Sequence, residues 1–136
     1  MRYDGRHYRL AGVHPGPAPA HSIGVWLGVG GPKTLALTGR TADGWVPSSS
    51  YFPPEVLPGM HARIDAAARD AGRDPAVIRR RYNLLGTIND GPSRGPFEGP
   101  IDQWVDTLTE LVVDGGMDTF VFGSGEDTLN QASRYA

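Results

Sequence analysis

The sequence predicts an α/β fold built from parallel β/α units. Three observations carry that expectation. Short apolar runs alternate with longer amphipathic stretches along most of the chain, and strands alternating with helices call for a parallel sheet. Glycine and proline, 19 and 12 of the 136 residues, sit mostly between those stretches as punctuation. The clearest stretch, Gly24 to Pro47, reads strand, glycine turn, helix, strand. Each crossover is expected to be right-handed.

Each element has its own reason. Residues 3–10 hold an Asp4-Gly5 turn signal beside alternating Tyr and Leu, which suits a small hairpin or an extended arm. In residues 12–21, GVHPGPAPAH, prolines remove donors and restrict their predecessors, so a surface linker is expected. Residues 1–22 are thus set apart as arm and linker, and 23–136 as the folded body. A strand at 23–28 runs through Gly28-Val29-Gly30-Gly31 into a helix at 32–42. Pro32 suits its first turn, where a missing N–H costs nothing. A strand at 44–47 follows, then a loop, Ser48 to Pro54, carrying Tyr51 and Phe52.

The helix at 55–71 places Met60, Ile64, Ala67, Ala68 and Ala71 on one face. Gly72 stops it in the C′ role. Asp74-Pro75 reads as N-cap and first position of a short helical turn through Arg79. A third strand spans 82–88 and a Gly/Pro-rich loop 89–99. Ile101, Trp104, Val105, Leu108, Leu111 and Val112 then recur at helical spacing, up to Gly115-Gly116. A strand at 117–122 and a helix begun by Asp127 complete four β/α units. A full (β/α)8 barrel takes about 250 residues. The chain is therefore expected to form half a TIM barrel or a small open sheet. As half a barrel it leaves Val25, Leu27, Trp45, Leu85 and Phe120 without packing partners on one side.

Composition excludes several classes. With 13 basic and 15 acidic residues there is no electrostatic case for nucleic acid or an anionic membrane. Without cysteine there are no disulfides, thiolate metal sites or cysteine nucleophiles. The N-terminal MRYDGRHYRL has no apolar core of a secretory signal, and no apolar run approaches the roughly 18–20 residues of a membrane span. A cytoplasmic location is expected. His7, His14, His21 and His61 show no ligand spacing, and no metal site is expected. His61 falls on the polar side of its helix, and Arg79-Arg80-Arg81 reads as a solvated helix end.

The candidate site is Gly28, Val29, Gly30, Gly31 and Pro32. Glycines let backbone approach a ligand, and the free N–H groups of a first helical turn form an anion site. A tight turn with no ligand explains the same residues equally well. The run is neither a G-x-G-x-x-G fingerprint nor a Walker loop. Lys33 supplies a phosphate charge or is simply solvated. Ser48, Ser49, Ser50 and Tyr51 follow a strand's C-terminal end, the active-site face of a barrel, and read equally as ligand contacts or a polar loop. Asp43 reads as turn chemistry, Trp45 as core, and Tyr82 and Asn83 receive no role.

These residues carry a resemblance. Ile23-Gly24-Val25-Trp26-Leu27-Gly28-Val29-Gly30-Gly31-Pro32-Lys33 resembles the glycine-rich turn of luciferase-like monooxygenases. Thr41-Ala42-Asp43-Gly44-Trp45 is similar to their A-D-G-W segment, and Ala71-Gly72-Arg73-Asp74-Pro75 to their A-G-R-D-P turn. The arm Tyr3 to Tyr8 resembles an insertion preceding this half. The resemblance implies the C-terminal half of a barrel oxidoreductase that uses FMN or the deazaflavin coenzyme F-420. It implies hydride transfer or oxygen activation on a small organic substrate, with Gly28 to Pro32 lining the cofactor. The family's N-terminal half supplies the opposite wall and most catalytic residues, so no catalytic residue is named here. The partner is then a second copy or a complementary half-barrel. The rival reading is a non-catalytic half-barrel that persists by such assembly.

Overall fold

The computed structural model describes residues 1–14, 16–125 and 127–136. The arm is a hairpin: β1 (Tyr3–Asp4) pairs antiparallel with β2 (Arg9–Leu10), and Gly5 N–H donates to the Tyr8 carbonyl at 2.9 Å. The described linker residues have no regular structure.

The body follows the predicted alternation. Its elements are β3 (Trp26–Leu27), α1 (Pro32–Thr41), β4 (Gly44–Trp45), α2 (Leu57–Asp70), β5 (Arg79–Leu85), β6 (Thr87–Ile88), β7 (Glu98–Gly99), α3 (Ile101–Val113), β8 (Thr119–Gly123) and α4 (Thr128–Tyr135). The main sheet has the order β3-β4-β5-β8, and every pairing in it is parallel. Parallel neighbours with helical crossovers put all strand C-termini at one end, so the loops after β3, β4, β5 and β8 share a face.

The helices cover one side of this sheet. Trp45, Arg80, Tyr82 and Leu84 point to that side and are buried, with Leu35, Met60, Ile64 and Trp104 among the core they join. The opposite side is open. There the Arg81 guanidinium lies 3.2 Å from the centroid of the Trp26 ring, while Leu85 and Val121 are each at least half exposed. Leu85 thus lacks a covering layer as expected, and Val25, just before β3 on the other side, is exposed too. Trp45 does not: it is fully buried and meets the His61 ring edge-on at 5.1 Å. Phe120 also packs against the core.

Local chemistry accounts for the boundaries. Gly72 has φ of 70°, and the bonds Gly72 N–H to Arg69 O and Arg73 N–H to Ala68 O, both 2.9 Å, form a Schellman ending for α2. The Asp74 carboxylate accepts from Ala76 N–H at 2.9 Å and caps a 3-10 turn over Pro75–Val77. The third strand begins three residues earlier than predicted and breaks at Gly86 into β5 and β6. The arginine run is therefore strand, not helix end. Its alternation puts Arg80 inside, bonded to Asp65 of α2, and leaves Arg79 exposed. On α3, Trp104 and Leu111 are buried, but Ile101, Val105 and Val112 remain largely exposed, so the apolar stripe is wider than the surface that this chain covers.

Candidate functional site

The glycine turn leaves β3 at its C-terminal end and enters α1 directly. Gly31 is the N-cap, with φ −72° and ψ 148°, and no side chain caps the helix. The first intrahelical bond is Leu35 N–H to Gly31 O at 2.9 Å, so the N–H groups of Lys33 and Thr34 precede it. No acidic residue stands in the first turn. Gly28, Gly31, Pro32 and Lys33 are exposed, while Val29 and Gly30 are half-buried. The Val29 side chain packs against the core, which leaves only its backbone to meet a ligand. The turn thus fits an anion through Gly31, Lys33 and Thr34 more than through Val29 or Gly30.

Three contacts hold the turn. The buried Trp45 indole Nε1–H donates to the Val29 carbonyl at 2.8 Å. Val46 N–H donates to Leu27 O at 3.0 Å, just before the turn. The Phe52 ring occupies the space beside Gly30, where a Cβ would stand 2.1 Å from Phe52 Cζ. A side chain at Gly30 would push the Phe52 ring aside whether or not a ligand binds.

The loop after β4 forms the next wall. Ser49 N–H donates to Asn83 O at 2.8 Å, and its hydroxyl Oγ accepts from Leu85 N–H at 2.9 Å. Ser50 and Tyr51 are exposed. The Tyr82 hydroxyl reaches under this loop and donates to the Phe52 carbonyl. Burial, then the nearby Glu55 carboxylate, raises the Tyr82 pKa above its ordinary value, so the hydroxyl stays protonated and remains a donor. A cleft of about 300 Å³ lies on the open side of the sheet, lined by Ser48, Ser50, Asn83, Leu85, Val121 and Gly123 among others.

A roomier cleft, about 500 Å³, lies at the opposite end of the strands, bordered by His61, Asp65, Asp74, Arg80 and Asp118. Its polar groups are largely engaged in structure: Asp74 caps its turn, Asp118 accepts the Arg80 N–H at 2.8 Å, and Asp65 pairs with Arg80. His61 is half-buried rather than solvated. Burial, then Arg80, lowers its pKa to about 4, which keeps it neutral at physiological pH. The N-terminal end of barrel strands is the stability face, and the favoured site is therefore the glycine turn with its neighbours. Sequence reasoning placed the glycine turn and Ser48–Tyr51 at one face, as found, and missed Phe52 and Tyr82. No described helix is long and apolar enough to cross a membrane.

Parallel β/α units with their loops gathered over the strand C-termini define an α/β protein of the kind that builds TIM barrels. The family model for luciferase-like monooxygenases matches residues 1–93, and the chain belongs to that family. It is 37% identical over 91 residues to a phthiodiolone/phenolphthiodiolone dimycocerosates ketoreductase of Mycobacterium kansasii, covering 67% of this chain and 24% of that protein. It is 27% identical over 90 residues to an F420-dependent hydroxymycolic acid dehydrogenase of Mycobacterium tuberculosis, covering 66% of this chain and 24% of that protein. The chain thus aligns with about a quarter of the length of these curated relatives. Among solved structures, an F420-dependent secondary alcohol dehydrogenase in complex with an F420-acetone adduct superposes with a TM-score of 0.70 at 13% identity. That match covers 96% of this chain and 52% of the other, and it shows the fold.

Proposed function

We propose that the chain is the cofactor-turn portion of a luciferase-like oxidoreductase that uses coenzyme F-420 in preference to FMN, interconverting an alcohol and a carbonyl on a small organic substrate. The observation that carries this reading is the uncapped N-terminus of α1, offered to an anion by an exposed glycine turn at the strand C-termini. The names of the relatives and of the structural neighbour support the choice of F-420 and of alcohol–carbonyl chemistry. Bound there, the deazaflavin supplies the hydride donor or acceptor, and the protein contributes binding and orientation. Gly31, Lys33 and Thr34 hold a phosphate, and the open sheet face beside Asn83 and Val121 is left for ring or substrate. No residue of this chain is assigned a catalytic role.

The test is a calorimetric titration of F-420, FMN and inorganic phosphate into the wild type, Lys33→Ala and Gly30→Val. F-420 is expected to bind most tightly. Gly30→Val should weaken it at least tenfold, because the branched Cβ displaces Phe52 and reshapes the turn. Equal binding by wild type and Gly30→Val overturns the assignment of the turn, and FMN binding above F-420 overturns the choice of cofactor.

The open sheet face and the outer edges of β3 and β8, unpaired among the described residues, support assembly with a second copy or a complementary half-barrel. Light scattering on the purified chain is expected to give a mass above one copy. A sharply melting monomer contradicts that expectation.

A further inference from the structure

We propose that Tyr82 is a positioning residue for the Gly28–Gly31 turn, acting through Phe52. The proposal rests on the reading of that turn as the cofactor contact and adds the device that sets its shape.

Phe52 is held at both ends. Its carbonyl accepts the Tyr82 hydroxyl and its N–H donates to Ser48 O at 3.0 Å. Its ring fills the space that a Gly30 Cβ would need. Tyr82 is itself fixed: it is fully buried in the middle of β5, and its ring meets Phe97 edge-on at 5.9 Å. A side chain locked in the core thus carries the rigidity of β5 to an exposed loop, and that loop presses on the turn. The Trp45 indole bond to Val29 O holds the turn from the core side. The turn is held between the Phe52 ring on one side and the Trp45 indole, which bonds its backbone, on the other, and a site preorganised in this way loses less entropy on binding.

A Tyr82 that served only the core would satisfy its hydroxyl at Phe52 O with no effect beyond that loop. Tyr82→Phe separates the two roles, because it keeps the ring and removes one hydroxyl. In the full chain without cofactor, amide exchange at Gly30 and Gly31 is expected to quicken severalfold, together with that at Tyr51 and Phe52. The Gly30 amide chemical shift should move with them. Phe52→Ala should produce the same change at Gly30, and Tyr82→Phe should add little to it in the double variant. F-420 affinity should fall about threefold to tenfold in Tyr82→Phe, with only a small drop in melting temperature. Faster exchange confined to Tyr51 and Phe52, or additive effects in the double variant, overturns the coupling. If wild type binds no F-420, the proposed function fails, and the exchange data at Gly30 and Gly31 still decide whether Tyr82 shapes the turn.

Discussion

Asp65→Ala is expected to lower stability by about 3 kcal/mol, the lower end of the cost of stripping one partner from a buried ion pair. Arg80 is the reason. Its side chain is 8% exposed and its Nη2 lies 2.5 Å from Asp65 Oδ1. Its Nη1 has no protein acceptor among the described residues. Burial lowers the Arg80 pKa from its ordinary value, and Asp65 and Asp118 oppose that shift. Without Asp65, a largely buried guanidinium loses its hydrogen-bonded carboxylate and keeps only the Asp118 charge near it. Asp65 is itself 29% exposed, so solvent screening places the cost at the low end of the range. The paired replacement Asp65→Leu with Arg80→Met should fall within about 1 kcal/mol of wild type, since an apolar pair of similar volume needs no compensating charge. Urea unfolding followed by circular dichroism measures both. An Asp65→Ala variant within about 0.5 kcal/mol of wild type, the range of ordinary surface substitutions, refutes the account.

Arg80 also shows where sequence reading stops. The strand order and direction were legible, because alternating short apolar runs and amphipathic helices admit few topologies. The caps at Gly72 and Asp74 were legible, because each depends on its own few residues. Three successive arginines hide the period-2 alternation that identifies a strand, since charge alone does not tell the inward residue from the outward ones. The inward one is identified only by Asp65, which reaches it from another element. Phe52 and Tyr82 were missed for the same reason: they are 30 residues apart, and each looks ordinary in its own segment. The turn itself was visible as glycines. That Gly30 is reserved for a phenyl ring depends on a contact between two loops that no local pattern encodes. His61 was placed on the polar side of α2 because its contact, the edge of Trp45, lies on the sheet.

Gly39→Ala is expected to destabilise the chain by about 2–3 kcal/mol, within the range for overpacking a close interface. In an exposed helix the same change gains about 1 kcal/mol, so the sign is the test. Gly39 lies in α1 where α2 crosses it. A Cβ there would stand 2.2 Å from Ile64 O, 2.9 Å from Ala68 N and 3.0 Å from Ala67 Cβ. Two of these are backbone atoms of α2, which cannot rotate away as a side chain does, so the helices must part. Parting them also disturbs Arg73, whose Nη1 and Nη2 donate to Gly39 O at 2.6 Å and Ala42 O at 2.8 Å and tie the end of α1 to the turn after α2. Gly59 in α2 is the control: it is exposed, and nothing lies within 4 Å of its Cβ position. Gly59→Ala should raise the melting temperature by a few degrees while Gly39→Ala lowers it by several. If both variants melt higher than wild type, the helices do not cross at Gly39 as closely as described.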